Sequence, residues 1–502
     1  MKHLALFIEP TAAQLNIFSA FTLPRLGSFI LAGLVNRRPD WHARVFIEGR
    51  QLFNLQTWIA EHGRPSLVGI STITTTVKRG YALADECRAQ GIPVIMGGPH
   101  VTFLPEEALE RADLVVRGEG EGAMNALLDL WSAGYRKASD AEYAQVTNLS
   151  WKDSAGSVHH NPQGPWVEDL DALPLPDFAL ADGTADCRFG GKRTVMVQTS
   201  RGCPFDCSFC SVTGMFGKKF RFRSVNSVLE EVRQYDAKDH FVFFCDDNFT
   251  ANKRRARELV EAMIREKFRF QWSTQVRTDL AKDPELVALM KRGGCHTVFI
   301  GFESVNPKSL KEMKKSQSLD DIRKAIQVIQ GAGIHIHGMF VFGFEEDDWP
   351  TVEATVALAK EMKLTSVQLL LLTPLPGSEL YERLGNEGRI TSRDWDFYDA
   401  HHVVFTPTRF TPFELQCAQV YGHTRLYTIP EGFKKALTGR FVSAGLSFYA
   451  WKINRDWQKQ NQPYLRELSS ASRSAVGNGC CAHGCNGHGW TDATRRPVVT
   501  AS

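Results

Sequence analysis

Short apolar runs alternate with helical patterns along most of this chain, in two successive series. In the first series, from residue 1 to about 135, apolar runs of strand length are separated by segments with helical spacing. The predicted strands are Leu4–Ile8, Arg44–Ile47, Leu67–Ser71, Val94–Met96 and Leu114–Val116. The predicted helices are Leu26–Val35, Gln51–Glu61, Val77–Ala89 and Gly120–Trp131. This alternation is typical of a doubly wound, Rossmann-like parallel sheet, which we predict for residues 1–140.

The second series starts at Arg193 and contains six strand–helix units. Its strands are predicted to end at Gln198, Cys245, Val276, Phe302, Val341 and Leu372. Six such units fit a partial (β/α)6 TIM-type barrel, which we predict for residues 189–400. The Pro- and Asp-rich residues 141–188 are predicted as a linker, 401–468 as a small helical region and 469–502 as a disordered tail. The predicted fold class is therefore α/β.

The composition excludes several classes of protein. Lys plus Arg number 59 and Asp plus Glu 56, a net charge of +3, which indicates no nucleic-acid partner. The apolar run after Met1 is too short for a signal peptide, and no stretch reaches the length of a membrane span. We therefore expect a cytoplasmic protein with reduced thiols.

Three cysteines follow the first strand of the second series. Cys203, Cys207 and Cys210 have C-x3-C-x2-C spacing, and three thiolates can bind three irons of a [4Fe–4S] cluster and leave the fourth iron open. A structural zinc site is the main alternative. It requires four ligands, and no fourth Cys or His follows the motif at a suitable spacing. A disulfide framework is typical of small secreted chains, not of 502 residues with 11 cysteines. The motif favours a cluster whose open iron can hold a substrate or cosubstrate.

Polar residues follow the other strands of the predicted barrel at the same rim. The candidates are Asp246, Asp247, Asn248, Ser273, Gln275, Arg277, Glu303, Ser304 and Pro374. Such a rim could hold a zwitterionic amino acid that bears a sugar. Arg277 would bind its carboxylate, and Asp246 or Asp247 its ammonium group. Glu303 would bind the ribose hydroxyls.

Structural roles without ligand binding are the alternatives for the same residues. The segment Asp246–Asn248 could cap the following helix, and Arg277 could pair with Asp279 at the surface. Phe209 would be a core aromatic in most loops, whereas beside a cluster it can stack on an adenine.

Small-residue loops follow three strands of the first series. Their candidate binding residues are Ser71, Thr72, Gly97, Gly98, His100, Gly118, Glu119 and Glu121. Doubly wound sheets bind ligands at the C-terminal ends of their strands, and glycines permit close backbone approach. No G-x-G-x-x-G follows the first strand, which argues against a dinucleotide. The loop at 118–122 could also be only a tight strand-to-helix turn.

On these motifs, over roughly residues 1–410, the chain resembles the cobalamin-binding radical S-adenosylmethionine (SAM) enzymes. The resemblance rests on Cys203, Cys207, Cys210, Phe209, Asp246–Asn248, Gly301–Ser304 and Leu372–Ser378. It implies that the open iron of a [4Fe–4S] cluster chelates SAM, and that an electron from the cluster cleaves SAM to methionine and a 5′-deoxyadenosyl radical. Arg277 and the acidic pair then supply secondary hydrogen bonds and charge balance.

The resemblance also implies that the N-terminal loops seat the nucleotide tail of cobalamin. The Asp-x-His-x-x-Gly motif is absent, so we expect no lower histidine ligand to cobalt from that source. His100, on a glycine loop, is expected to donate a hydrogen bond more readily than to bind cobalt.

The resemblance predicts methylation of an unactivated carbon of a small-molecule or lipid-like substrate. A radical oxidative cyclase with the same cofactors and a non-catalytic cobalamin or iron–sulfur sensor are the alternatives. An electron donor such as flavodoxin or ferredoxin is expected as a partner. The basic-aromatic residues 434–457 could contact a membrane or pack on the barrel, and the Cys- and His-rich residues 480–488 could bind a metal adventitiously.

Overall fold

The protein is described by a computed structural model. The described residues are 2–13, 23–49, 51–131, 137–183 and 187–476. The cysteines and histidines of residues 480–488, and most of the predicted disordered tail, lie outside them.

An eight-stranded sheet forms the N-terminal part. Its strands are β1 (His3–Glu9), β2 (Trp41–Ile47), β3 (Leu67–Ser71), β4 (Val94–Gly97), β5 (Leu114–Val116), β6 (Leu149–Lys152), β7 (Val158–His160) and β8 (Ala181–Gly183). Their spatial order is β7-β6-β5-β4-β3-β1-β2-β8, parallel except for β6 and β7. The order reverses between β1 and β3, which is where doubly wound sheets bind ligands. The predicted Rossmann-like sheet is confirmed.

Helices cover both faces of this sheet. They are α1 (Leu26–Asn36), α2 (Leu55–His62), α3 (Val77–Ala89), α4 (Pro99–Phe103), α5 (Pro105–Ala108), α6 (Glu121–Leu130) and α7 (Asp140–Tyr143). Alternate residues of β1 enter different apolar layers, with Leu6 and Ile8 on one side and Ala5 and Phe7 on the other. A strand buried on both faces reads as a continuous apolar run, which explains the sequence of β1.

A second sheet curls into a half barrel. Its strands are β9 (Arg188–Phe189), β10 (Lys192–Val197), β13 (His240–Phe244), β14 (Trp272–Val276), β15 (Cys295–Glu303), β16 (His335–Phe342) and β17 (Ser366–Leu371), while β11 (Ser200–Arg201) pairs separately with β12 (Arg221–Phe222). The six strands β10, β13, β14, β15, β16 and β17 are parallel, and β9 is antiparallel to β10. Each parallel strand ends within one residue of its predicted end, so the partial barrel is confirmed.

The barrel strands are linked by helices on the outer face. These are α8 (Val212–Phe216), α9 (Val225–Val232), α10 (Lys253–Arg265), α11 (Pro284–Arg292), α12 (Pro307–Glu312), α13 (Leu319–Gly331), α14 (Trp349–Glu361) and α15 (Glu379–Asn386). Helix α13 shows why they start where they do, because Ser318 and Asp321 form a reciprocal capping box. The buried apolar faces of these helices and the strands form one large core.

Four helices follow the barrel and seal its last strand. They are α16 (Pro412–Leu426), α17 (Ile429–Leu437), α18 (Phe441–Gln460) and α19 (Gln462–Val476). The Tyr427 hydroxyl accepts from the Val367 N–H at 2.6 Å, and His423 Nε2 accepts from the Leu369 N–H at 3.2 Å. Gln419 Nε2 donates to the Leu369 carbonyl at 3.1 Å. Side chains from α16 and the residue after it thus occupy the free edge of β17.

Two segments differ from their predicted form. Residues 141–188, predicted as a linker, contribute β6, β7 and β8 to the first sheet. Helix α19 continues to Val476, inside the segment predicted as disordered tail. None of the described helices is both long and apolar enough to cross a membrane.

Candidate active site

The three cysteines lie on the loop between β11 and α8, at the C-terminal end of the first barrel strand. Gly202 begins this loop with a φ of 90°, and a Cβ there would lie 2.4 Å from the Lys219 carbonyl oxygen. Only glycine fits this conformation and this close approach. The Cys203 N–H donates to the Gly217 carbonyl at 3.2 Å. The loop is therefore closed on itself and presents three free, half-buried thiols.

The thiols suit a cluster better than a single metal ion. Burial raises the pKa of Cys203 and, to about 12, that of Cys210, and the Asp247 carboxylate adds to both increases. Iron binds thiolates, so cluster assembly must release these protons. No group of three or more His, Cys, Asp or Glu side chains among the described residues is arranged around one ion. A [4Fe–4S] cluster needs no such point, because each thiolate binds a different iron.

Aromatic contacts pack the cysteine loop on the barrel. The Arg277 guanidinium carbon lies 3.7 Å from the centroid of the Phe205 ring, a close cation–π contact. The rings of Phe209 and Phe344 meet edge to face with centroids 6.0 Å apart. Within the described residues no ion pair joins Arg277 to Asp279, whose buried Oδ1 has no hydrogen-bond partner there, so that alternative is not formed. Arg277 instead supports the loop that carries the cysteines.

The two acidic residues after β13 have different surroundings. Asp246 is buried and accepts from the N–H and hydroxyl of Thr199, each at 2.9 Å, and from the Ser200 hydroxyl at 2.8 Å. Burial raises the pKa of Asp246 in spite of these bonds. Asp247 is exposed at the barrel mouth, yet desolvation by the surrounding protein and the charge of Asp246 raise its pKa to about 7. Asp246 therefore holds the turn before the cysteine loop, and Asp247 is available to a ligand.

The rest of this strand end is not a helix cap. The side chain that caps α10 is Asn252, which accepts from the Arg255 N–H, so the capping alternative for residues 246–248 is wrong. Asn248 is buried, and its Nδ2 has no partner among the described residues. Gln275 Nε2 lies 3.5 Å from the Asp246 carbonyl oxygen. An unpaired buried donor is costly, which suits a site that binds an acceptor.

Glu303 is engaged by a lysine that the sequence analysis missed. Its carboxylate lies 2.5 Å from Lys315 Nζ, and both side chains are buried. Glu303 has a φ of 62°, and a Cβ on Gly301 would lie 2.2 Å from its Oε1, so the glycine makes room for the carboxylate. A ribose would have to share this carboxylate with Lys315. Ser304 and Pro374 are buried at the same rim, whereas Ser273 is buried near the N-terminal end of β14, as its second residue.

One cavity of about 460 Å³ lies between the C-terminal edges of the two sheets. We call it the chamber. The first sheet contributes Ser71, Gly97, Gly98, Gly118, Glu119 and Glu121, and the barrel side contributes Met196, Gln198, Arg201, Met215, Phe216 and Cys245. Its lining thus combines glycine backbone and apolar side chains with the charged Glu119, Glu121 and Arg201, which fits a large cofactor with a polar tail. No histidine is among the described residues that line it.

Close backbone packing shapes the chamber wall. Gly98 has a φ of 100°, and a Cβ there would lie 2.4 Å from the carbonyl oxygen of Thr72. Thr72 itself is buried behind the wall, where its N–H donates to the Gly97 carbonyl at 2.9 Å. Arg25, another lining residue, donates to the Ser71 carbonyl at 2.5 Å. The backbone at these strand ends is therefore held by contacts both behind the chamber wall and within its lining.

His100 lies outside the chamber. Its buried ring meets Trp395 edge to face with centroids 4.9 Å apart, and its Nε2 lies 3.5 Å from Glu107. Trp395 belongs to the segment after the barrel and also donates to Glu107 at 2.9 Å. These contacts hold His100 in a structural position between the two parts of the chain, so its position gives no support to the predicted cobalamin contact.

Four buried side chains join the first sheet to the cysteine loop, and we call Glu119, Glu121, Arg201 and Arg221 the charge quartet. Arg201 donates to Glu119 at 3.0 Å and to Glu121 at 2.7 Å. Arg221 donates to Glu119 at 2.7 Å. Burial alone would raise the pKa of Glu119, but the hydrogen bond from Arg221 and the charge of Arg201 outweigh it and lower the pKa. Since Arg201 is two residues before Cys203, the quartet fixes the loop relative to the chamber.

The two arginines were missed from the sequence. The signal that could have found them is the pair of basic residues on either side of the cysteine motif, opposite two carboxylates on a predicted binding loop.

Comparison with known proteins agrees with this architecture. Residues 197–359 match the family "Radical SAM superfamily", and residues 21–128 match the family "B12 binding domain". An uncharacterized methyltransferase of Pyrococcus horikoshii is 32% identical over 81% of this chain and 88% of its own. Bacteriochlorophyllide d C-12(1)-methyltransferase of Chlorobaculum tepidum is 30% identical over 68% of this chain and 70% of its own. An anaerobic magnesium-protoporphyrin IX monomethyl ester cyclase of Rubrivivax gelatinosus is 29% identical over 70% and 64% of the two chains.

Two solved structures share the fold. TsrM of Kitasatospora setae, a radical SAM methyltransferase solved with cobalamin and a [4Fe–4S] cluster, has a TM-score of 0.62 at 17% identity over 77% of this chain and 75% of its own. OxsB, solved with aqua-cobalamin and SAM, has a TM-score of 0.67 at 14% identity. The match covers 95% of this chain and 82% of OxsB.

The half barrel, the cysteine loop and the fused N-terminal sheet together define a radical SAM enzyme that carries a B12 binding domain. The chain belongs to the cobalamin-binding radical SAM enzymes, and its cofactors are a [4Fe–4S] cluster, SAM and cobalamin. Because the family consists of enzymes, the sensor alternative is not retained.

Proposed function

We propose that this enzyme methylates an unactivated carbon of a small organic substrate. The observation that carries the proposal is the chamber, which is lined both by the loops of the B12 binding domain and by the first barrel strands beside the cysteine loop. Two cofactors held at one cavity can act on one substrate. The relatives named as methyltransferases support methyl transfer as the outcome.

The residues present fit both cofactors. Cys203, Cys207 and Cys210 would hold the cluster, and the glycine loops after β4 and β5 would seat cobalamin. When bound, the cluster and SAM supply a radical that removes hydrogen from the substrate, and cobalamin supplies the methyl group.

The protein contributes positioning and charge at this rim. Asp247 is exposed at the barrel mouth, and its charge raises the pKa of both Cys203 and Cys210, so we assign it to the ammonium group of SAM. Arg277 would keep Phe205 and the cysteine loop in place, and Asn248 would donate to an acceptor on SAM. We assign the ribose to the rim near Glu303, where Lys315 also lies. Phe209 packs beside the cysteines and would cover the adenine.

An acidic electron donor would suit the surface beside the cysteines. Lys218 and Lys219 are exposed there, and among the described residues they pair with exposed carboxylates, Asp206 at 3.1 Å and Glu168 at 2.8 Å. Such pairs are weak and readily exchanged. A flavodoxin or ferredoxin could therefore dock at this edge through its own carboxylates.

Anaerobic turnover with methyl-labelled SAM tests the proposal. We expect 5′-deoxyadenosine and a product that carries the label, and loss of both when Cys207 is replaced by Ala. Formation of 5′-deoxyadenosine with an unlabelled product in good yield would contradict methyl transfer and favour the cyclase alternative, which the cyclase relative keeps open.

A further inference from the structure

An apolar stripe is exposed on the C-terminal helices. It consists of Ile429, Phe433 and Leu437 on one face of α17 and Phe441 at the start of α18, with exposed fractions of 40%, 58%, 89% and 73%. The first three are four residues apart, so they lie above one another on the helix. Leucine and phenylalanine exposed together in this way mark an interaction surface, whereas single exposed apolar residues need no explanation.

Five cations lie on or beside these helices, and we call them the basic cluster: Lys360, Arg425, Lys434, Lys435 and Arg440. Lys360, Lys435 and Arg440 line one crevice together with Glu431, and Lys360, Arg425 and Lys434 are exposed. Burial and the charge of Arg425 lower the pKa of Lys360, and Lys434 adds to this effect. Burial likewise lowers the pKa of Lys435, helped by Arg440 and Lys360, while Glu431 opposes both shifts. Lys435 Nζ donates to the Ser447 hydroxyl at 2.8 Å, so the exposed Lys360, Arg425 and Lys434 carry most of the positive charge of this surface.

The surface lies at the end of the barrel opposite the cysteines. Arg440 donates to the Lys363 carbonyl at 2.7 Å and to the Leu364 carbonyl at 3.3 Å, which places it at the loop between α14 and β17. That loop is at the N-terminal ends of the barrel strands, whereas the cysteine loop and the chamber are at their C-terminal ends. A partner on this surface would leave the cofactor rim accessible.

We infer that the stripe and the basic cluster form a docking surface for an anionic phospholipid bilayer. Phenylalanine and leucine on one helical face, with lysine and arginine beside them, is the arrangement by which a helix lies in a membrane interface. The apolar side chains enter the boundary of the acyl chains, and the cations approach the phosphates of the headgroups. The inference does not depend on the reaction that the enzyme catalyses.

Vesicle sedimentation of the cofactor-loaded enzyme tests this surface. We expect binding to vesicles of equal parts phosphatidylglycerol and phosphatidylcholine, little binding to phosphatidylcholine alone, and weaker binding in about 0.5 M than in about 0.1 M salt. The variant Phe433→Ser/Leu437→Ser/Phe441→Ser should bind at least about 30-fold more weakly. Lys434→Gln should bind about fivefold more weakly. Leu52→Ser, which removes a leucine elsewhere that is about as exposed (60%) as Phe433, should bind like the native enzyme.

A second variant guards against a folding defect. Phe433 packs edge to face on Phe448 at 5.3 Å, so Leu437→Ser/Phe441→Ser leaves that contact intact and should still lose most of the binding. Absence of binding to the anionic vesicles, or equal binding by the native enzyme and the triple variant, would overturn the inference. So would a concentration-dependent dimer that the triple variant abolishes, because a second copy would then cover the stripe, or binding of inorganic phosphate without vesicle binding.

Discussion

Replacing Arg201 by Met tests the charge quartet. The guanidinium is buried and forms ion pairs with Glu119 at 3.0 Å and with Glu121 at 2.7 Å. In Arg201→Met, Glu119 keeps its bond to Arg221, but Glu121 becomes a buried carboxylate without that cation. Removing one partner of a buried ion pair costs about 3–5 kcal/mol, so we expect a loss of stability of this size. Arg201→Lys keeps the positive charge but lacks the two terminal nitrogens with which the guanidinium reaches both carboxylates. We expect it to lower the stability by about 1–3 kcal/mol.

The free energy of unfolding by urea, followed by circular dichroism, measures this loss. The matched control is Arg233→Met, because Arg233 binds Glu266 at 2.6 Å with a similar fork but is half exposed, and should cost at most about 1 kcal/mol. In the double variant Arg201→Met/Glu121→Gln the stranded charge is gone, so at least about 1 kcal/mol should return. A variant Arg201→Met that is as stable as Arg233→Met, or no recovery in the double variant, would refute the reasoning.

Three further predictions concern single positions. Asp247, with a pKa of about 7, should make the KM for SAM fall as the pH rises through neutrality; Asp247→Asn should flatten that profile and Asp206→Asn should not. Gly98→Ala should cost more than about 2 kcal/mol and lower cobalamin occupancy measured by absorbance, whereas Gly63→Ala, also at positive φ but with open space, should cost about 1 kcal/mol. Glu119 has a lowered pKa, so its contribution is present above the unfolded-state value and lost as pH falls; urea unfolding of Glu119→Gln should depend less on pH between about 5 and 3 than that of the native protein.

Most of the architecture could be predicted from local patterns. Strand β14 ends at Val276 and helix α3 spans Val77–Ala89, both as predicted, because long apolar runs and amphipathic spacing carry their own signal. Strands β6, β7 and β8 could not be predicted in this way. They contain three or four residues each and exist because an already formed sheet offers them an edge.

In the candidate site, too, local features could be predicted from the sequence and contacts between distant residues could not. Cys203, Cys207 and Cys210 are close in sequence, so their spacing alone indicates a cluster. The pairing of Arg201 with Glu119 joins residues 82 apart, and no local pattern indicates it. His100 stays a prediction as a cobalamin contact; its packing against Trp395, from a distant segment, is likewise something that no local pattern indicates.

The side chains that cover the edge of β17 also determine where this chain can be divided. A half barrel ends in a strand whose row of amide and carbonyl groups could pair with a strand from another molecule. Tyr427, His423 and Gln419 occupy that row with side-chain atoms. A fragment that stops before Pro412 would expose an adhesive edge and self-associate. The barrel and the segment through Tyr427 are therefore one unit of folding and of expression.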